Sequence, residues 1–344
     1  MKWRLAGWCV MAAVLAQTGL MGSLTASERS HSKVLAAFRD VVSTPSKSTV
    51  RVFADGHKAA LGAIVAPDGY VITKASELKG RLEVQVQDGR KVEGRIVARD
   101  PALDLALLKI EGKELPTVRW GEAKSAAVGS WVVTTGLERE PVAIGVLSVG
   151  PRKIAAPSGA LGVQLENDDT AARIAQVMSD SAAEKAGIRS GDRVVQVNDK
   201  KIGGRQELVD TIRGFMPGEQ VQLIIRRGEE DITLNVTLGS LATLVHGDRA
   251  EFQNNLGGPL SERRAGFSSV IQHDTVLRPS DCGGPLVNLD GEVVGINIAR
   301  AGRVESYALT SEVVREAVEK LMSKAPGHQN LAESPSQDAN KKVQ

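Results

Sequence analysis

Between Thr49 and Val149 the apolar residues come in short runs separated by turn-forming residues: Val50–Phe53, Ala63–Val65, Tyr70–Thr73, Leu82–Val86, Val92–Ala98, Leu105–Ile110, Trp131–Val133 and Ala143–Val149. Runs this short do not build amphipathic helices, but they suit strands, in which successive side chains face opposite ways. Asp68-Gly69 and Asp88-Gly89 supply tight turns between antiparallel neighbours. Such a series is stable when its edges are closed off, so the pattern predicts antiparallel barrels.

Composition narrows the function. The 344 residues carry a net charge of +2 and only 3% aromatics, and no run alternates basic and aromatic side chains. A stacking platform is therefore not expected, and no nucleic acid partner is assigned. Strong steering of an acidic partner is not expected either. With 42% apolar residues the chain is long enough for two ordinary domains. Met1-Lys2-Trp3-Arg4, an apolar stretch through Met21 and small residues to Ala26 read as an export signal cleaved near Ala26. Its apolar core falls short of the roughly 20 residues that span a bilayer. Cleavage would remove Cys9, leaving Cys282 alone and no internal disulfide. Scattered histidines give no metal-ligand spacing, and Gly203-Gly204 and Gly257-Gly258 lack the context of a phosphate loop, so no cofactor and no metal is expected.

The chemistry concentrates at Arg278-Pro279-Ser280-Asp281-Cys282-Gly283-Gly284-Pro285, a tight turn that stands a small nucleophile beside N–H groups able to hold an oxyanion. A strand-like run from Leu289 to Ile298 follows it. Together with Gly62 to Ser76 and the segment Asp100-Pro101-Ala102-Leu103-Asp104-Leu105-Ala106, it closely resembles the HtrA/Deg-type trypsin-like serine proteases. The resemblance implies a mainly β fold, a trypsin-like double antiparallel β-barrel. It puts Cys282 at the nucleophile position, Asp104 at the triad acid and Ser76 where the family has the histidine of T-x-x-H. Only the acid is unchanged.

A triad works because an imidazole takes the nucleophile's proton and later gives it to the leaving amine. The Ser76 hydroxyl can do neither near neutral pH. Losing a triad member costs about 10⁴ to 10⁶ in turnover, so a pseudoprotease-like protein is expected. Of the histidines His31, His57, His246, His273 and His328, none stands at position 76. His273, nine residues before Cys282, is the best candidate for an unconventional base, against a plainer reading as a polar strand or loop residue. Cys282 itself reads either as a small apolar filler or as a working nucleophile. Ser280 stands where the family usually has a glycine that turns an N–H toward the oxyanion.

From Gly159 to Leu238 the chain resembles a PDZ domain of the bacterial protease type, carried by Gly159-Ala160-Leu161-Gly162-Val163-Gln164, the segment Ser181 to Asn198, and Glu207-Leu208-Val209-Asp210-Thr211-Ile212. The resemblance implies that an extended peptide adds as a strand while amides of the Leu161-Gly162-Val163 turn capture its carboxylate. A helix from about Arg205 to Gly214 would form the other wall, with Leu208 and Ile212 touching ligand side chains. The plainer reading makes these residues core.

The expected organisation is a signal over 1–26, a helical segment and linker over 27–48, and a first trypsin-like part over 49–156. A PDZ domain over 157–239 then interrupts the second barrel, which resumes over 240–323, and 324–344 is a polar tail expected to be disordered. The favoured function is an exported, periplasmic or envelope protein that binds peptides, protein C-termini or unfolded proteins in quality control. The family suggests a homo-oligomer or a hetero-oligomer with related proteases. The alternatives are an endopeptidase using Cys282 with an unconventional base, and a structural envelope assembly protein.

Overall fold

The computed structural model describes residues 32–240 and 256–324, so the expected signal, His31, His246, His328 and the tail beyond Lys324 lie outside the described residues. Six strands close the first barrel: β1 (Thr49–Ala54), β2 (His57–Ala66), β3 (Tyr70–Lys74), β4 (Leu82–Gln85), β5 (Lys91–Asp100) and β6 (Leu105–Ile110), in the order β1-β2-β3-β6-β5-β4. The expected hairpin turns at Gly69 and Gly89 are present, both glycines at positive φ, 101° and 89°. Alternation sorts the side chains. Val71, Ala106, Leu108 and Ile110 fill the barrel, while Tyr70, Ile72, Leu105 and Leu107 face outward into a second cluster shared with the other barrel. Burial on both faces explains why the run from Leu105 to Leu108 is continuously apolar instead of alternating.

The second barrel begins with β7 (Trp131–Thr134) and β8 (Ala143–Ile154) and is completed only after an insertion by β17 (Phe267–His273), β18 (Pro285–Val287), β19 (Val293–Gly302) and β20 (Glu305–Thr310). Its order is β17-β20-β19-β18-β7-β8, closed. The insertion has its own core. A sheet of β10 (Val163–Leu165), β11 (Ala172–Val177), β12 (Arg193–Val197), β14 (Gln220–Arg227) and β15 (Glu230–Thr237), with β13 (Lys200–Lys201) beside β12, packs around Ile174, Val194, Leu208, Leu223 and Val236.

The neck of the insertion explains why a barrel can be split there. β9 (Gly159–Ala160) pairs with β16 (Gly239–Ser240), so entry and exit lie side by side, and β8 pairs directly with β17 across the insertion. Chain ends held this close let a barrel keep its ladder around an inserted domain.

The helical signal at the start resolves into two short helices, α1 (Ser32–Ala36) and α2 (Arg39–Ser43). Phe38 between them lies 5.6 Å from the Trp131 ring, and Val34, Leu35 and Val41 pack on the inter-barrel cluster. In the insertion, α3 (Ala182–Lys185) begins at Ser181, whose hydroxyl accepts from the Glu184 N–H, and α4 (Arg205–Arg213) runs as expected from sequence. The last helix, α5 (Ser311–Ser323), buries Val314, Ala317, Val318 and Leu321 in the seam between the barrels. No helix among the described residues is long and apolar enough to cross a membrane.

Candidate functional site

Asp104 and Ser76 are hydrogen-bonded to one another. β3 ends at Lys74 and the chain turns, so that the Ser76 N–H donates to Asp104 Oδ1 at 2.8 Å and its hydroxyl to Oδ2 at 3.0 Å. Asp104 is 4% exposed and held at φ 58°, a left-handed conformation that aspartate tolerates better than most residues. Burial raises its pKa above the ordinary value, opposed by the Lys74 charge and by the bonds from Ser76. The serine therefore uses the carboxylate much as an imidazole N–H would, but carries nothing onward.

Lys74 is the site residue that sequence reading missed. It is fully buried, and its Nζ donates to Glu77 Oε1 at 3.2 Å. Its charge acts on both Asp104 and Cys282. A lysine at a strand end ordinarily reads as solvated, and no local pattern distinguishes this one.

Cys282 is free and wholly buried. Burial pushes its thiol up to about 11, with Lys74 and the Ser261 hydroxyl pulling the other way. At neutral pH it is a thiol, which donates to the Arg278 carbonyl at 3.8 Å. Pro279–Asp281 form a 3-10 turn in which the Cys282 N–H donates to the Pro279 carbonyl at 3.2 Å. That amide is spent inside the turn instead of facing an oxyanion. Ser280 lies within this turn, and its carbonyl accepts from Arg51 Nη1 at 2.6 Å. The loop is further pinned by the Leu61 N–H on the Cys282 carbonyl at 2.8 Å and by the Arg51–Asp281 ion pair at 3.3 Å. Gly283 is required here. At φ 94°, a Cβ would come within 2.2 Å of the Leu61 carbonyl oxygen.

No hydrogen bond joins His273 to Cys282 among the described residues. The ring is fully buried on β17, with Nδ1 at 2.6 Å from the Thr275 hydroxyl. Among the described residues Nε2 and Asn297 Oδ1 both lack a partner that meets hydrogen-bond geometry, although the Asn297 side chain is near enough to raise the ring's proton affinity. Burial dominates and lowers the ring to about 4, so His273 is neutral. The Asn297 backbone carbonyl accepts from the Gly283 N–H at 2.6 Å. His57, the other described histidine, is exposed, with Nδ1 at 3.0 Å from the Asp55 carbonyl. Among the described residues no group of three His, Cys, Asp or Glu side chains could hold a metal ion.

In the inserted domain, Leu161, Gly162, Val163, Leu208 and Ile212 line one groove with Leu165, Met178 and Val209. Leu161, Leu208 and Ile212 are also core, each no more than 5% exposed. The groove and core readings thus describe two faces of the same residues. β10 is an edge strand, paired only with β11. Gly162 takes φ 77°, and among the described residues the N–H groups of Leu161 and Gly162 have no acceptor.

Two family models match. A trypsin-like peptidase domain matches residues 60–191, spanning Ser76 and Asp104, and a PDZ domain matches residues 159–238. The chain is similar to a probable periplasmic serine endoprotease DegP-like of Ectopseudomonas mendocina, 26% identical over 294 residues, covering 61% of this chain and 62% of the relative. A protein with the same description from Chlamydia trachomatis is 26% identical over 268 residues, covering 53% and 54%. Another, from Pseudomonas putida, is 39% identical over 77 residues, or 22% and 16% of the two chains. The chain thus spans just over half to under two thirds of the length of the first two relatives.

Proposed function

The chain belongs to the HtrA/Deg-type family of trypsin-like proteins with a PDZ domain, and from that premise we propose that it is an exported, catalytically impaired member that binds peptides or unfolded proteins in envelope quality control. The observation that carries the impairment is the Ser76–Asp104 pair: the carboxylate that should orient a ring is satisfied by a hydroxyl and an N–H. Among the described residues no histidine is bonded to Asp104 or to the buried thiol. Peptide binding rests on the edge of β10 and on the amides of Leu161 and Gly162, which have no acceptor among the described residues, above an apolar groove. Export and a periplasmic location rest on the leader at 1–26 and on the names of the relatives.

The test is turnover of unfolded casein by the purified protein together with labelling by a thiol-reactive acyl probe, with Cys282→Ala as control. The reading expects no Cys282-dependent turnover, and binding of C-terminal peptides that obstruction at Gly162 abolishes. A second reading, an endopeptidase using Cys282 with an unconventional base, is favoured by one observation: the buried Lys74 ammonium whose charge acts on the thiol. Casein cleavage lost with Cys282→Ala would select it.

A further inference from the structure

We propose that the chain's own segment 257–263 occupies the strand position beside Cys282 where a peptide would lie, closing the inter-barrel cleft from within. β18 covers β19 only from Val293 to Ile296, and β20 takes the opposite side of β19 as far as Gly302. Past Asn297, the edge of β19 on the Cys282 side therefore has no strand neighbour among the described residues. Such an edge offers N–H and C=O groups in the spacing an extended peptide needs.

Here those groups are already taken. The Ser261 N–H donates to the Arg300 carbonyl at 3.0 Å, and the Arg300 N–H donates to Ser261 Oγ at 3.0 Å. Ser261 is 2% exposed and Arg300 3%, so neither contact is a surface accident. The segment is fastened at both ends. On one side the Arg300 guanidinium donates to the Gly257 and Leu277 carbonyls. The approach is close enough that a Cβ at Gly257 would meet Arg300 Nη2 at 2.4 Å. On the other side Arg263 donates to the Pro101 and Ala102 carbonyls of the first barrel, in the turn that leads to Asp104, and lies over the Phe267 ring at 5.0 Å. Segment 257–263 thus crosses from the second barrel to the first. Its Ser261 hydroxyl acts on the Cys282 thiol and its Arg263 charge on Asp104.

Closure of this kind is independent of whether Cys282 retains any turnover, so it stands or falls separately from the function proposed above. It is tested on the full chain carrying Cys9→Ala, so that Cys282 is the only thiol, by its labelling rate with an aromatic disulfide reagent and by hydrogen exchange at the Arg300 amide. Ser261→Pro removes the N–H that binds Arg300, and Arg263→Ala releases the other anchor without touching β19. Each is expected to speed labelling by about tenfold or more, the effect of losing one or two buried hydrogen bonds. Arg300 exchange should rise in parallel, with far-UV dichroism retained. Should one variant fail to fold, the other carries the test. Labelling of the parent at the rate of an exposed thiol, or folded variants with parental labelling and exchange, would overturn the proposal.

Discussion

Two strand edges in this molecule, at β10 and at β19, are in opposite states. At β10 the edge is bare, with Gly162 at positive φ and the amides of Leu161 and Gly162 without acceptors among the described residues. At β19 the equivalent groups of Arg300 are spent on Ser261, and the amide of Cys282 is spent on Pro279. A binding edge is defined less by its strand than by whether its polar groups already have partners. In this chain the inserted domain keeps the open edge and the barrels the closed one.

The largest effect expected of this contrast concerns turnover. Ser76→His with Cys282→Ser restores the missing side chains, yet casein cleavage should stay near background while segment 257–263 is in place. Adding Arg263→Ala and Ser261→Pro should raise it by about 10² or more, roughly tenfold for each released anchor. Full activity from the first pair alone would break the contrast.

Next is the buried ring behind the closed site. His273 is neutral when folded, with its pKa lowered to about 4 from 6.5 by burial. The unfolded chain therefore binds the proton first as pH falls. The stability associated with the neutral ring is fully present above about pH 6.5, is lost as pH falls toward 4, and changes no further below it, an effect on the order of 3 kcal/mol. Urea unfolding across that window measures it, and His273→Gln should flatten the slope.

A smaller effect sharpens the open edge. Gly162→Val puts a β-branched residue where φ is 77°, so C-terminal peptide affinity should fall at least about tenfold by titration calorimetry, while Cys282 labelling is unchanged. The smallest belongs to Ser76→Ala, which loses the hydroxyl bond to Asp104 but keeps the N–H bond. It should cost about 1 kcal/mol by denaturant unfolding and leave peptide binding untouched.

Sequence pattern located the strands and the Asp-Gly turns, because each is written in local periodicity or in a contiguous motif, whereas the inserted domain and the pairing of Ser76 with Asp104 were implied only by the family resemblance. Leu105 to Ile110 is a run of the first kind, and Gly159 to Val163 a motif of the second. What stayed hidden depends on residues far apart in the chain. Ser261 and Arg300 find one another across 39 positions. Arg263 reaches Ala102 across 161. No periodicity encodes either contact. Ser280 in place of glycine was the one local hint that the loop beside Cys282 is unusual, and it gave no means of reading which carbonyl would take the Cys282 amide. Lys74 was hidden for a different reason: its burial is set by the packing of two barrels, not by its strand.

The contrast between the two edges is tested most directly by amide hydrogen exchange on the full chain, with and without a saturating heptapeptide that has a free apolar C-terminus. The account expects new protection at residues 161–165 and none at 298–301, where protection is already present in the free protein. New protection at 298–301, with 161–165 unchanged, would contradict it.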